Sequence, residues 1–176
     1  MNKIFTIGHS TRTIEEFIEA LEANGIKRLV DIRTVPGSRR NPQYHQEALK
    51  QSVIEAGIDY VYMKSLGGFR PKVEPSKNMG WRNQSFRNYA DYMQTKEFDQ
   101  AIDQLIELSD IPTAIMCSEA VPWRCHRSLV GDALLVRGIQ VHDIFDAKTT
   151  KEHQLTRFAV VDGTKITYPE DPEDEK

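Results

Sequence analysis

The chain has 176 residues, of which 39% are hydrophobic, and a formal net charge of −3. These totals fit one globular domain with an ordinary buried core, and they exclude the overall basic field that attracts nucleic acid. The apolar run at residues 4–7 is far too short for a secretory leader or a membrane span. We therefore expect a cytoplasmic protein that has no membrane segment.

The first third of the chain predicts strands that alternate with helices. Residues 3–7 read as a strand, and Thr13 and Glu16 then have the spacing of a capping box at a helix start. Gly25 follows the last apolar residue of that helix, where glycine commonly ends a helix. The next predicted elements are a strand at 28–32, a helix at 43–56 and a strand at 58–63.

The rest of the chain continues the alternation after a long loop at residues 64–84. A loop this long in a compact domain is usually a functional lid or a poorly ordered insertion. Asp162 and Gly163 form a dipeptide that favours tight hairpin turns. The later predicted elements are helices at 85–93 and 96–108, a strand at 113–117, a helix at 122–137, a strand at 140–144 and a hairpin at 158–168.

This alternation predicts a mostly parallel sheet with right-handed crossovers and helices on both faces. The predicted fold class is α/β, a three-layer Rossmann-like sandwich with a five-stranded sheet and a C-terminal β-hairpin. The predicted strand order is 3-2-1-4-5. Residues 1–169 are expected to form this single domain, and residues 170–176 an acidic, disordered tail.

The most informative stretch of the sequence is CSEAVPWRCHRS at residues 117–128. It joins a predicted strand to a predicted helix, and α/β proteins usually bind ligands at the carboxyl ends of their strands. Thiol, carboxylate and guanidinium groups gathered at such a turn predict an anion-handling site. Its candidate side chains are Cys117, Glu119, Arg124, His126 and Arg127, whereas Cys125 is expected to pack against the sheet.

Cys117 is the candidate nucleophile, because a thiol beside a helix start and arginines is readily deprotonated. Backbone amides at that helix start also suit an oxyanion. The alternative is a buried thiol that only fills space. In a reducing compartment, paired cysteines are more often reactive, metal-bound or buried than crosslinked. Joint metal ligation by the adjacent Cys125 and His126 is awkward on a helix, so no metal and no cofactor is predicted.

Polar residues also follow the other predicted strands. His9 is a candidate general acid or base, with Glu119 as a second catalytic candidate. Arg33 and Arg39 are candidate anion ligands, because guanidinium groups make bidentate contacts to phosphate or carboxylate. A histidine that only bonds loop backbone and a solvated arginine loop are the alternatives. The remaining ligand-binding candidates are Ser10, Asp31, Ser38, Gly67 and Gly68.

Aromatic residues alternate with basic residues in and around the long loop. Phe69, Trp81 and Phe86 lie among lysines and arginines, an arrangement that can stack nucleic-acid bases beside a charged groove. The same aromatic side chains can equally fasten the loop to the domain.

With these residues in view, the sequence resembles the bacterial and archaeal family called domain of unknown function 488. The resemblance rests on TIGHSTRT at residues 6–13, DIRTVPGSRR at 31–40, LGG at 66–68, and CSE and CHRS within 117–128. It implies an α/β fold with a pocket and implies no particular reaction.

Three hypotheses follow for the function. The first is an enzyme that acts on a phosphorylated or nucleotide-like anion. The second is a module that binds a nucleotide or nucleic acid without turnover, although nucleic acid is the less favoured ligand. The third is a thiol or metal protein centred on Cys117 and Cys125. The expected partner is a small anionic or nucleotide-like ligand.

Overall fold

The computed structural model describes residues 3–37 and 40–170. Two candidate ligand residues, Ser38 and Arg39, and residues 171–176 of the predicted tail lie outside these ranges. No helix within the described ranges is both long and apolar enough to cross a membrane.

The centre of the fold is a six-stranded sheet in the order β3-β2-β4-β1-β5-β6. The first five of these strands run parallel, and β6 pairs antiparallel with β5. A separate antiparallel hairpin, β7-β8, follows. The strands are β1 (Lys3–Gly8), β2 (Arg28–Asp31), β3 (Asp59–Tyr62), β4 (Thr113–Cys117), β5 (Gln140–Ile144), β6 (Thr150–Glu152), β7 (Val160–Asp162) and β8 (Lys165–Thr167).

Capping residues mark the start and the end of α1, the first helix. The capping box at α1 is present, because Thr13 Oγ1 accepts from the amide of Glu16 and Glu16 Oε1 accepts from the amide of Thr13. Gly25 follows with φ of +68°, a conformation that favours glycine. The helices are α1 (Ile14–Ala23), α2 (Gln46–Glu55), α3 (Gln84–Tyr92), α4 (Lys96–Leu108) and α5 (Arg127–Leu135), with 3₁₀ turns at Pro42–Tyr44, Lys64–Leu66 and Pro122–Arg124.

The predicted fold class is confirmed, and two of its details are wrong. The sheet has six strands rather than five, because the short, fully exposed TKE segment of β6 carries no apolar periodicity by which it could be recognised. The strand order is also different, because β4 lies between β2 and β1. All five residues of β4 are buried. A strand that is apolar on both faces is favoured at the centre of the sheet, where helices cover both faces.

Helices cover both faces of the sheet, so the architecture has three layers. One apolar core contains side chains of α1 and α2, including Phe17, Leu21 and Leu49. The core on the other face contains side chains of α3, α4 and α5. The helix after β4 therefore packs on the opposite face from the helices after its neighbours β1 and β2, which makes the end of β4 a topological switch point.

The long loop before α3 is fastened at Asn78, whose side chain is completely buried. Its Nδ2 donates to Asp91 of α3 at 2.7 Å, and its Oδ1 accepts from the amide of Tyr168 at 2.8 Å. Ser76 also donates to Asp91, at 2.7 Å. The loop therefore has a defined path between the β3 end and α3.

Candidate functional site

A pocket of about 320 Å³ lies at the carboxyl ends of β2 and β4. This volume is at the lower end of the range for small-molecule sites, roughly 300–1,000 Å³. Six of the predicted site residues line it: Arg33, Gly68, Cys117, Glu119, Arg124 and His126. The lining also includes Cys125, Phe69 and Phe86.

The turn after β4 is held against the end of β1 by backbone contacts. The amide of His9 donates to Cys117 O, and the amide of Ser10 donates to Ser118 O, both at 2.9 Å. A Cβ atom on Gly8 would lie only 1.5 Å from the backbone oxygen of Glu119. Glycine at position 8 is therefore what allows the two strand ends to meet.

The helix after this turn is shorter than the sequence predicts, because it begins at Arg127 rather than near Pro122. Residues 122–124 form a 3₁₀ turn, and Cys125 is extended. The first helical amides point at Cys125: the amide of Arg127 lies 3.5 Å from its Sγ, and the amide of Ser128 donates to its carbonyl at 3.1 Å. These two amides therefore make their hydrogen bonds to Cys125 and not to a ligand in the pocket.

Cys117 and Cys125 are joined as a disulfide, with their Cα atoms 7.2 Å apart. The expectation from the sequence was the opposite, since paired cysteines in a reducing compartment are usually not crosslinked. Both side chains are almost inaccessible, with 1% and 5% exposure. Both cysteines also line the pocket, so the pocket lies next to the sulfur atoms.

Arg127 lies behind these sulfur atoms and is completely buried. Its Nη1 is 3.7 Å from Cys117 Sγ, and its Nη2 donates to Ala120 O at 3.2 Å. Among the described residues no carboxylate forms a salt bridge with it. Burial lowers the pKa of Arg127 to about 10, so the group is still a cation at neutral pH. A buried cation without an ion-pair partner strongly favours negative charge on the sulfur that it contacts.

His126 contacts the other sulfur. Its Nε2 lies 3.0 Å from Ile32 O, and its Nδ1 lies 3.5 Å from Cys125 Sγ. Burial lowers the pKa of His126 to about 4, so the ring is neutral at pH 7. An Nε2–H that donates to a carbonyl leaves Nδ1 as an acceptor. A Cβ atom on Gly68 would come within 2.8 Å of Nδ1, so glycine at position 68 makes room for this ring.

Asp31 and Arg33 form a buried ion pair with two hydrogen bonds. Arg33 donates to the two carboxylate oxygens at 2.9 and 2.7 Å, and both side chains are buried. Tyr60 donates to Asp31 at 2.6 Å, and Arg33 also donates to Tyr44 O at 2.8 Å. The Arg33 guanidinium therefore reaches the pocket wall with its charge largely neutralised.

His9 is close to the turn through its backbone, but its side chain does not line the pocket. The ring stacks on Tyr44 at 4.1 Å between centroids, and Nδ1 lies 2.8 Å from Ser10 O. Burial lowers the pKa of His9 to about 4. Ser10 itself has φ of +49°, and it contacts the turn through its backbone amide.

The mouth of the pocket is formed by exposed residues. Glu119 and Arg124 are exposed there, and Arg124 makes no salt bridge with any carboxylate in the described ranges. Phe69, which also lines the pocket, is 74% exposed. Gly67 packs on Thr34, because a Cβ atom there would lie 2.5 Å from Thr34 Oγ1.

Five lining residues are absent from the candidates that the sequence suggests: Thr34, Val35, Gly37, Ser85 and Ser118. Thr34 and Val35 directly follow Arg33, so extending the strand-end rule by two residues would have found them. Ser85 had no such signal, because it reaches the pocket from the first turn of α3. Within the described ranges, no group of three or more His, Cys, Asp or Glu side chains is placed to hold a metal ion.

Fold and site together define a Rossmann-like α/β protein with a pocket at the switch point of its sheet. The sequence model of one family, described as domain of unknown function DUF488, matches residues 13–134. The chain belongs to this family. No curated protein and no solved structure matches the chain.

Proposed function

We propose that the pocket binds a nucleotide or a similar phosphorylated, ring-containing molecule. The observation that carries this proposal is the position of the most exposed apolar side chains. The three most exposed large hydrophobic residues of the described chain are Phe69, Val35 and Trp123, at 74%, 66% and 65%. Phe69 and Val35 line the pocket, and Trp123 lines an adjoining cleft. The two clefts share Phe86, Glu119 and Arg124.

Apolar surface gathered around a concave site marks a binding site, because each exposed ring gains free energy when a ligand covers it. Aromatic faces stack on bases, and a guanidinium binds phosphate in a bidentate manner. Arg124 lies between the two clefts and has no carboxylate partner among the described residues, so its charge is available to a phosphate. Arg33 adds hydrogen-bond donors but little net charge, because Asp31 neutralises it.

Binding is favoured over turnover for a geometric reason. Of the three catalytic candidates, Cys117 and Glu119 line the pocket, whereas the His9 ring lies under Tyr44 and away from it. An enzyme that acts on the same ligand would therefore need Glu119 as its acid or base. Loss of turnover with intact binding in Glu119→Gln would support that second candidate function.

A thermal-shift panel of mononucleotides, sugar phosphates and short single-stranded oligonucleotides tests the proposal. A ligand at about a hundred times its Kd adds about 2.7 kcal/mol. For a chain of this size we expect a rise in Tm of roughly 5–10 °C. A shift produced only by oligonucleotides and abolished by salt would instead support a nucleic-acid module.

Matched variants locate the ligand. Arg124→Gln should weaken nucleotide binding about tenfold, and Phe69→Ala should weaken it at least about fivefold through lost stacking. Lys27→Gln removes an exposed charge just before the amino end of β2, and Ile54→Ala shortens an exposed apolar residue on α2. Both variants should bind the ligand like the wild type. Equal affinity in all four variants would contradict the proposed site.

A further inference from the structure

We propose that Cys117 and Cys125 form a redox-active dithiol, in which peroxide oxidises Cys117 and Cys125 closes the disulfide. The proposal is independent of what the pocket binds. It rests on three features: the two sulfur atoms meet beside a pocket that both cysteines line, a buried guanidinium contacts one of them, and an imidazole contacts the other.

Cys117 is the sulfur that carries the negative charge in the reduced protein. The guanidinium of Arg127 is 3.7 Å away, and this side chain forms no salt bridge within the described ranges. The charged groups that act on Arg127 from farther away are Asp143, Arg12 and Glu119. A thiolate at Cys117 supplies a counter-charge in direct contact with the guanidinium, which Asp143 and Glu119 do not, and the thiolate is the nucleophilic form of cysteine.

Cys125 is the sulfur that keeps its proton until the second step. His126 Nδ1 is 3.5 Å from Cys125 Sγ, and the ring is held by its contact with Ile32 O. The neutral ring is an acceptor at Nδ1, so the Cys125 thiol donates to it. The amide of Arg127, 3.5 Å from the same sulfur, stabilises the negative charge that develops there as His126 relays the Cys125 proton to the departing oxygen.

The two steps balance as follows. The Cys117 thiolate attacks one peroxide oxygen, the O–O bond breaks and an S–O bond forms as sulfenic acid. The released hydroxide or alkoxide is protonated by the solvent, which had received the proton of the Cys117 thiol. Cys125 then attacks Cys117 Sγ, the S–O bond breaks, and the departing oxygen leaves as water with the Cys125 proton. The result is the disulfide. A small dithiol reverses the change, since its two sulfurs become a disulfide as both cysteines regain protons.

The burial of the sulfurs selects a small oxidant. With 1% and 5% exposure, neither sulfur is open to a protein disulfide, whereas hydrogen peroxide fits the pocket that both cysteines line. The pair also closes a loop that carries Arg124 and Trp123. Oxidation therefore acts on the same segment that forms part of the pocket mouth.

The test uses the full chain, reduced with a dithiol, desalted and treated with equimolar hydrogen peroxide. The chain has two cysteines, so thiol counts and intact masses are unambiguous. We expect both thiols to disappear together, with loss of two hydrogens and no gain of oxygen, and a dithiol to restore both. Gain of oxygen with one thiol remaining, or crosslinked dimers, would overturn the proposal.

Single-cysteine variants assign the two roles. Cys125→Ser should stop at the sulfenic acid of Cys117, which a 1,3-diketone reagent captures. Cys117→Ser should react at least about tenfold more slowly, because Cys125 lacks the contact with the guanidinium. Equal oxidation rates in the two variants would refute the assigned roles.

Arg127→Gln in the Cys125→Ser background should slow oxidation of Cys117 about tenfold at pH 7. Arg137→Gln, beyond the other end of α5, is the matched control and should leave the rate unchanged. If Arg127→Gln does not fold, the pH dependence of the alkylation rate of Cys117 in Cys125→Ser tests the proposal instead. A half-maximal rate below about pH 8.5, where an unperturbed cysteine ionises, supports the proposal, and one at or above it contradicts the proposal.

Discussion

Raising the pH above 9, or replacing His153 by Gln, is expected to loosen the C-terminal part of the chain from α5. His153 lies between two buried carboxylates, with Nε2 2.9 Å from Asp132 of α5 and Nδ1 3.7 Å from Asp143 of β5. Burial alone would lower the pKa of His153, but the hydrogen bonds and charges of the two aspartates outweigh burial and raise it to about 9.

The magnitude follows from the difference between the folded and unfolded states. An unfolded histidine has a pKa of about 6.5, and each unit of difference corresponds to about 1.36 kcal/mol. A folded value of about 9 therefore contributes about 3 kcal/mol to the free energy of unfolding. Because the folded pKa is the higher one, this stability is fully present below pH 6.5 and is lost as the pH rises through 9. The side chain is only 10% exposed, so solvent screening removes little of it.

Urea unfolding at several pH values between 6 and 9.5 measures this contribution. The wild type should exceed His153→Gln by about 3 kcal/mol at pH 6, or roughly 6–12 °C in Tm, and the difference should shrink by pH 9.5. His45→Gln removes an exposed histidine and should keep the wild-type pH dependence. A stability difference that stays constant across this range would refute the reasoning.

Two glycine substitutions test how the pocket is assembled. Gly8→Ala places a methyl group 1.5 Å from the backbone oxygen of Glu119, so we expect a loss of at least about 2 kcal/mol in urea unfolding; Gly37→Ala, whose Cβ atom meets His45 at 3.6 Å, should lose less than about 1 kcal/mol. Gly68→Ala presses on the His126 ring at 2.8 Å, and in the reduced protein it should slow disulfide closure by peroxide several-fold while leaving the first oxidation of Cys117 unchanged. If Gly8→Ala is as stable as the wild type, or if Gly68→Ala closes the disulfide at the wild-type rate, the predicted steric effect of that methyl group is wrong.

Local features of the sequence predicted the elements of the fold well, because each depends on neighbouring residues. The capping box at Thr13 and Glu16 fixes the start of α1, and the predicted bounds of α4, β4 and β5 are those of the structure. Strand order, in contrast, depends on contacts between residues that are far apart in the sequence. The connection from β3 to β4 spans about fifty residues, including two helices, and such a chain can return to almost any position in the sheet.

The same distinction applies to the site. Because parallel strands end at one edge, the sequence predicts a site at the turn after β4, and its candidates Cys117, Glu119, Arg124 and His126 line a pocket there. Which way a side chain points at a strand end depends on what packs on each face of the sheet. Tyr44 therefore decides where the His9 ring lies.

Charge and bonding were also decided only in three dimensions. The sequence shows that Asp31 and Arg33 are two residues apart and that two cysteines lie eight apart, but not that each pair closes on itself. The Asp31–Arg33 ion pair forms because folding removes water from the strand ends, and a desolvated charge must then be satisfied by a group that the packing brings within reach. Folding likewise brings the two sulfur atoms together, and oxidation joins them.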